Sequence, residues 1–192
     1  VDFIQAPPAS DDPKIEVKEM LLHTPRQRDI KSFLTVISAP VGFVSALPSH
    51  PQGCTGRVRT SIIASEAGCA FAVNGGPFDM DTGACEGSLI SDGKVFQIDD
   101  NSGFASWGLT KDGRWVFGDV SSLTVQKEQV TELLSGFIGG LLVRNSDTIV
   151  SSNALVAQRT AVGVDATGKL LFLTIDGAET RNKGMNITEL SI

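Results

Sequence analysis

The sequence predicts an α+β fold: a bent, mostly antiparallel sheet system with a few helices. Short apolar, β-branched runs recur along the chain, punctuated by turns containing Asp-Gly, Thr-Gly and Asn-Gly. A composition of 20 Gly, 10 Phe and no Tyr in 192 residues favours sheet over helix. The clearest helical pattern is confined to residues 57–67 (RVRTSIIASEA). This length corresponds to one domain, and 41% hydrophobic residues suffice for a sizeable core.

In order along the chain, residues 1–13 (VDFIQAPPASDDP) are rich in Pro, Asp and Ala and read as a loosely held arm, leaving 14–192 as the domain. Residues 14–22 alternate as a strand, with Ile15, Val17 and Met20 facing inward. Residues 30–38 (IKSFLTVIS) form another, with Phe33 and Val36 among its core positions. Pro40 and Gly42 break it, 41–47 continues it briefly, and 48–53 is a loop. The helix at 57–67 presents Ile62, Ile63 and Ala67 on one face, takes Thr60 or Ser61 as cap and stops at Gly68. Residues 69–73 (CAFAV) are expected as a short buried strand.

Asn74-Gly75-Gly76 follows that strand at once. Such a corner presents backbone N–H groups to an anionic ligand or an oxyanion, or else is a plain hairpin turn. Asp79 and Asp81 just beyond it are candidates for acid, base or cation ligand, or else turn formers. Residues 87–98 form a hairpin around Ser91-Asp92-Gly93, and 104–117 another around Lys111-Asp112-Gly113. Trp107 and Trp115 are expected in the core rather than stacked on sugar. Residues 121–134 mix strand and helix signals, with a helix at 127–134. Residues 136–143 (GFIGGLLV) form a strand close to another backbone, 146–153 a turn and short strand, and 179–184 a polar loop. Asn186-Ile187-Thr188-Glu189 has the side chains of a capping box, so a helix begins there. With the chain ending at Ile192 and beginning at Val1 rather than Met, it is expected to be an excised or mature piece, cut or spliced at its C-terminus.

The organising element is 158–177 (QRTAVGVDATGKLLFLTIDG). Asp165-Ala166-Thr167-Gly168 is a turn, 160–164 a strand of small and β-branched residues, and 170–175 a nearly continuous apolar strand for the middle of a sheet. If Val164 pairs near Lys169 or Leu170, Arg159 falls opposite Ile175, one step from Asp176. Cation and carboxylate then meet at one mouth of the sheet, with Gly177 permitting close approach of another group. The plainer alternative is an ordinary hairpin with solvated ends. WGLTKDGRWVF and VGVDATGKLLF share a pattern and read as two similar units in one sheet system.

A net charge of −6 with no basic stripe argues against nucleic-acid binding, and no apolar run has the length of a membrane span. The chain has only two histidines, His23 and His50, both near prolines, which argues against a zinc enzyme or a His-based triad. The odd number of cysteines, Cys54, Cys69 and Cys85, suggests one disulfide and one thiol, or else three free thiols in a cytosolic protein. Asn186-Ile187-Thr188 is an N-glycosylation sequon.

Several of these segments, in this order, resemble the phosphodiester glycosidase family. They are 69–87 (CAFAVNGGPFDMDTGACEG), 91–95, 107–118, 134–145, Arg159-Thr160-Ala161-Val162-Gly163, Asp176-Gly177 and Gly184-x-Asn186, and the likeness runs from about Cys54 to Ile192. The resemblance implies hydrolysis of a sugar-1-phosphate diester of the N-acetylglucosamine-1-phospho-mannose type, exposing mannose 6-phosphate. The substrate would be a phosphodiester-linked glycan carried on glycoproteins, in the lumen of a Golgi-type secretory compartment or outside the cell. It implies Asp176 and Arg159 as catalytic residues, and Asn74, Gly75, Gly76, Asp79, Thr160 and Gly177 as substrate contacts. Arg159 suits the phosphate, Asp176 the sugar carbon or an attacking water, and Asn74 with Gly75 and Gly76 the sugar hydroxyls or phosphate oxygens.

The family's cysteine pattern implies a Cys54–Cys85 disulfide, with Cys69 left for a partner beyond the present C-terminus. No cofactor is implied. Asp79, Asp81 and Asp176 leave metal dependence open, because they show no ligand spacing. The sequence departs from the family at Pro77, where an aromatic is usual, and at Glu86, where eukaryotic members tend to be apolar. The family's Asp-Gly-Gly-Gly-Ser segment, expected after the C-terminal helix, does not occur in these residues. Its absence keeps a rival reading, a catalytically inactive sugar-phosphate-binding or interaction domain.

Overall fold

The computed structural model of the chain describes residues 1–8, 10, 12–26, 29–38, 41–101, 103–138, 140–149, 155–178 and 183–190. Its strands are β1 (Asp2–Gln5), β2 (Ile15–Leu22), β3 (Ile30–Ile37), β4 (Leu89–Ser91), β5 (Lys94–Gln97), β6 (Phe104–Thr110), β7 (Arg114–Gly118), β8 (Val130–Ile138), β9 (Val143–Arg144), β10 (Asp147–Thr148), β11 (Arg159–Val164) and β12 (Leu170–Ile175). The helices are short: α1 (Thr60–Glu66), α2 (Ser122–Glu128) and α3 (Ile187–Leu190). Every strand pairing among the described residues is antiparallel, as the α+β reading expects. The residues cluster into two compact units, Val1–Gln5 with Val44–Gly140 and Ala6–Phe43 with Leu141–Ile192, where one domain was expected.

The first unit is a six-stranded sheet in the order β1-β7-β6-β8-β4-β5. Its N-terminal strand is a departure from the sequence reading: Asp2–Gln5 is no loose arm but pairs along β7, with Phe3 opposite Val116 and Ile4 opposite Trp115. The two Gly-centred hairpins form as expected. Gly93 and Gly113 take positive φ (72° and 80°), which the tight turns require. Trp115 is fully buried, and Trp107 lies half-buried against it with ring centroids 6.2 Å apart. Ile90, Val116, Val120, Val125, Val130 and Leu133 complete the core.

Residues 127–134, expected as a helix, are corrected. The helix is α2, capped by Ser121 accepting from the Thr124 N–H, and it ends at Gln129 in the left-handed region (φ 51°). β-Branched Val130 and Thr131 then open β8, which lies between β6 and β4. β8 also displaces the strand expected at 136–143; Gly139 lies outside the described residues. The cap of α1 is Arg59, extended and without a side-chain acceptor, rather than Thr60 or Ser61; Gly68 (φ 67°) follows the helix as expected.

Residues 69–73 are neither strand nor buried. No strand in the sheet takes them as a ladder partner, and Ala70 and Ala72 offer little area to hold them down. Residues 41–47 do not continue a strand either. Gly42 turns the chain at φ 81°, and the Ala46 N–H goes to the Glu132 carboxylate instead of to a ladder.

The second unit is a four-stranded sheet in the order β11-β12-β3-β2. The organising hairpin folds with the expected register: Val164 opposite Leu170, Arg159 opposite Ile175. β12 pairs on its other side with β3, so its apolar run is central, with Leu170, Phe172 and Ile175 buried. Asp165 holds the turn by accepting from the N–H groups of Thr167 and Lys169 and from the Thr167 hydroxyl, while Gly168 takes φ 80°. Both Gly-turn hairpins form, but β6–β7 and β11–β12 belong to different sheets, not to one sheet system.

Ile30, Ile175 and Met185 form a second core, flanked by Leu22, Leu173 and Leu190. Ile15 and Val17 do not face inward. They are 41% and 58% exposed, because β2 is an edge strand with a neighbour on one side only. The capping box closes reciprocally: Asn186 Oδ1 accepts from the Glu189 N–H (2.8 Å) and Glu189 Oε2 from the Asn186 N–H (2.9 Å). β9 and β10 pair as a short hairpin, and β10 is the short strand expected within 146–153. Pro40, 150–153 and 179–182, read as a break, a strand end and a loop, lie outside the described residues.

Candidate functional site

The Asn74-Gly75-Gly76 corner belongs to the first unit, and several independent ties fix the chain around it. The Cys54–Cys85 disulfide forms, with Cα atoms 5.2 Å apart, and its covalent loop encloses the corner. Cys69, inside the same loop, is exposed and free. Phe78 and Cys85 pair as an antiparallel bridge. Gly83 lies so close to Gly56 that a Cβ on it would stand 2.5 Å from the Gly56 carbonyl carbon. Asp79 is consumed locally, since its Oδ1 accepts from the Asp81 and Thr82 N–H groups and from the Thr82 hydroxyl. Those bonds, from the Thr82 N–H first, hold its carboxyl below the ordinary carboxylate value. In this structure Asp79 and Asp81 therefore shape a turn.

The corner itself is not a hairpin. Asn74 and Gly75 are exposed and Gly76 is half-buried. A Cβ on Gly75 would meet the Leu134 side chain at 3.0 Å, and one on Gly76 would meet the Ser135 carbonyl oxygen at 2.5 Å. Gly76 is therefore glycine because β8 passes directly beneath it. Among the described residues, the backbone N–H groups of Gly75 and Gly76 make no hydrogen bond. They remain donors for an anion or a sugar oxygen.

In the second unit the hairpin brings Arg159, Thr160, Asp176 and Gly177 to one end of β11 and β12. The expected meeting of cation and carboxylate does not occur: no ion pair joins Arg159 and Asp176. Instead the guanidinium lies on carbonyls, with Nε donating to Met185 O at 3.1 Å and Nη2 to Leu155 O. Asp176 is exposed; its N–H donates to Lys31 O, and its Oδ1 accepts from the Gly177 N–H at 2.9 Å.

Gly177 does permit a close approach, as its position predicts, but the approaching group is backbone. A Cβ there would stand 2.6 Å from both Gln158 N and Lys183 O. Gly184 is tighter still, 2.0 Å from Ala157 O at φ 110°. Bridges Ala157–Met185 and Ala178–Lys183 complete a knot in which Met185 both pairs with Ala157 and receives Arg159. Thr160 is exposed opposite Thr174.

No cluster of three or more His, Cys, Asp or Glu side chains suited to a metal ion occurs among the described residues. None of their helices is long and apolar enough to cross a membrane. The sequence reading did not single out the Leu134-Ser135 floor beneath the corner. Its one signal was a serine in the otherwise apolar run LLSGFI, hidden by starting that strand at Gly136.

Comparison with known proteins bears on this arrangement. The model of the phosphodiester glycosidase family matches residues 67–192. The chain belongs to the phosphodiester glycosidase family. Curated relatives named N-acetylglucosamine-1-phosphodiester alpha-N-acetylglucosaminidase share 30% identity in cattle and 29% in human, over 85% and 86% of this chain. The chain spans about a third of their length, 35% and 36% respectively. The solved catalytic domain of the zebrafish enzyme of that name, auto-inhibited by its pro-peptide, superposes with a TM-score of 0.85 at 26% identity, covering 99% of this chain and 70% of that one. A hypothetical protein from Synechocystis shares the fold, with a TM-score of 0.74 at 11% identity over 92% of this chain and 53% of its own. Within the family frame, all the candidate residues from Asn74 to Gly177 fall inside the matched span.

Proposed function

We propose that this chain carries residues of a hydrolase that cleaves sugar-1-phosphate diesters, with N-acetylglucosamine as the sugar and a mannose 6-phosphate glycan as the product. The observation that carries the reading is the family match over 67–192, which contains every residue assigned below. The reaction breaks the bond between the anomeric carbon and the phosphate oxygen. Water adds to that carbon, and the phosphate leaves as a monoester carrying the bond's electron pair. Positive charge gathers at the sugar and negative charge at the leaving oxygen.

Arg159 receives the phosphate. Its Nε and Nη2 are oriented by carbonyls, and Nη1 has no partner among the described residues, so an anion can be met without breaking the anchor. Asp176 is an exposed carboxylate whose Oδ2 has no partner among the described residues, suited to the developing cation or to activating the water. Gly75 and Gly76 offer backbone N–H groups and Asn74 an amide to sugar hydroxyls or phosphate oxygens. Thr160 and Gly177 are assigned to the substrate beside Arg159 and Asp176, and Asp79 serves the corner through the turn that it closes. The disulfide and the Asn186-Ile187-Thr188 sequon suit a secretory-pathway or extracellular protein, with Asn186 as glycan acceptor.

The test is steady-state kinetics on N-acetylglucosamine-1-phospho-mannose. Arg159→Ala raises KM by about one to two orders of magnitude, the cost of charge-assisted bonds to the diester. Asp176→Asn lowers kcat by about two to four orders. Near-normal turnover in both variants refutes the assignment.

A further inference from the structure

Ser135, at the middle of β8, is buried and engaged on every side. Its N–H donates to Ser88 O at 3.0 Å, and its Oγ accepts from the Ser88 N–H at 2.8 Å. Side chain and backbone of one residue thus grip both polar groups of another. Its carbonyl oxygen lies where a Cβ on Gly76 would be 2.5 Å away, and its own Cβ would be 2.6 Å from a Cβ on Gly87. Both ends of the loop from Gly76 to Ser88, which carries the Asp79 turn and Cys85, therefore rest on this single residue. A second hydroxyl, Ser106 Oγ, stands 2.9 Å from Ser135 Oγ. Ser106 belongs to β6, and none of its bonds reaches the loop.

We infer that Ser135 is a positioning residue for the Asn74-Gly75-Gly76 corner. Its hydroxyl clasps the returning end of the loop at Ser88, and its backbone sets the height of the outgoing end at Gly76. Gly75 and Gly76 make no hydrogen bonds of their own among the described residues, so their position depends on contact with this floor. Removing the Oγ leaves the buried Ser88 N–H without an acceptor, so the loop's return is held there by the Ser135 N–H alone, while the β6–β8 ladder stays paired. The role in substrate handling rests on the function proposed above; the role in fixing the corner does not.

The experiment compares Ser135→Ala with Ser106→Ala in the protein. It uses backbone order parameters of Gly75 and Gly76, together with KM and kcat for the sugar phosphodiester. Ser135→Ala is expected to drop the two order parameters from about 0.85 to below about 0.6. It should also raise KM by about tenfold while leaving kcat within about twofold. Ser106→Ala, which removes a buried hydroxyl from the same cluster, leaves all four quantities near wild type.

Equal loosening by the two variants, no loosening in Ser135→Ala, or loosening with KM unchanged overturns the proposal. If Ser135→Ala does not fold, Gly76→Ala lifts the same corner with the Ser135–Ser88 clasp intact. It must then raise KM while the Ser88 amide keeps its protection from exchange, and an unchanged KM overturns the proposal. If the protein turns over no sugar phosphodiester yet Ser135→Ala still loosens Gly75 and Gly76, the proposed function has failed and the positioning has not.

Discussion

Replacing Cys54 and Cys85 together by alanine separates the covalent tie around the corner from its noncovalent ties. The disulfide closes a loop with a sequence separation of 31. For a loop of that size, chain entropy lost by the unfolded state is about 12 cal/mol/K, equivalent to about 3.7 kcal/mol at about 298 K. The loop starts in an irregular segment and ends two residues before Gly87, and it includes no sheet strand. Its remaining anchors are the Gly83–Gly56 approach, the Phe78–Cys85 bridge and the Ser135 floor. The variant retains Cys69 as a lone thiol, so no reshuffled disulfide complicates the comparison.

Urea unfolding of the oxidised wild type and the double variant is the assay. The expected result is a loss of about 3–4 kcal/mol, with a slightly larger denaturant slope, because the unfolded chain is no longer cross-linked. KM for the sugar phosphodiester should rise with it. A loss below about 1 kcal/mol refutes the reasoning, for it means that the noncovalent anchors already hold the loop closed in the unfolded ensemble.

Two further outcomes follow from the packing. Gly184→Ala places a methyl 2.0 Å from Ala157 O at a φ of 110°. It should cost about 3 kcal/mol or more in a urea titration and weaken phosphate binding through Met185, and a cost below about 1 kcal/mol would show that the knot yields freely. Glu132 is buried, with its oxygens 2.8 Å from the N–H groups of Ala46 and Asp92. Burial pushes its carboxyl above the ordinary 4.5, and the Asp92 charge adds to the rise. The folded state then binds the proton more tightly than the unfolded chain. This group's contribution is full below about pH 4.5 and is lost as pH rises through the folded value. Glu132→Gln should flatten that part of the stability profile, and parallel profiles for variant and wild type would contradict it.

What was readable in the sequence is what neighbours along the chain decide. The register of β11 against β12 follows from a turn whose Asp165 and Gly168 leave one way to close, and Arg159 therefore falls opposite Ile175. The capping box at Asn186 and the Asp-Gly hairpins are local in the same sense. Misread elements depended on partners distant in sequence. CAFAV has the composition of a buried strand, but no neighbouring strand takes it up. Ile15 and Val17 alternate like core residues, yet β2 sits at a sheet edge. The helix expected at 127–134 failed for a local reason, the left-handed turn at Gln129, which no glycine announced. The disulfide was readable only through the family's pattern, since three cysteines admit several pairings.

On the function proposed above, the missing Arg159–Asp176 ion pair favours the chemistry assigned to the two groups. A guanidinium paired with a carboxylate presents little net charge to a diester, and that carboxylate is a weaker stabiliser of a sugar cation. Held by Met185 O and Leu155 O, Arg159 is oriented by neutral acceptors that leave its full charge available. Asp176 is likewise oriented by an N–H, that of Gly177, rather than by a counterion. Each group is fixed by the backbone of the knot around Gly177 and Gly184, so orientation costs neither its charge. On this argument, pairing the two by shortening their separation should reduce turnover even as it adds an ion pair to the fold.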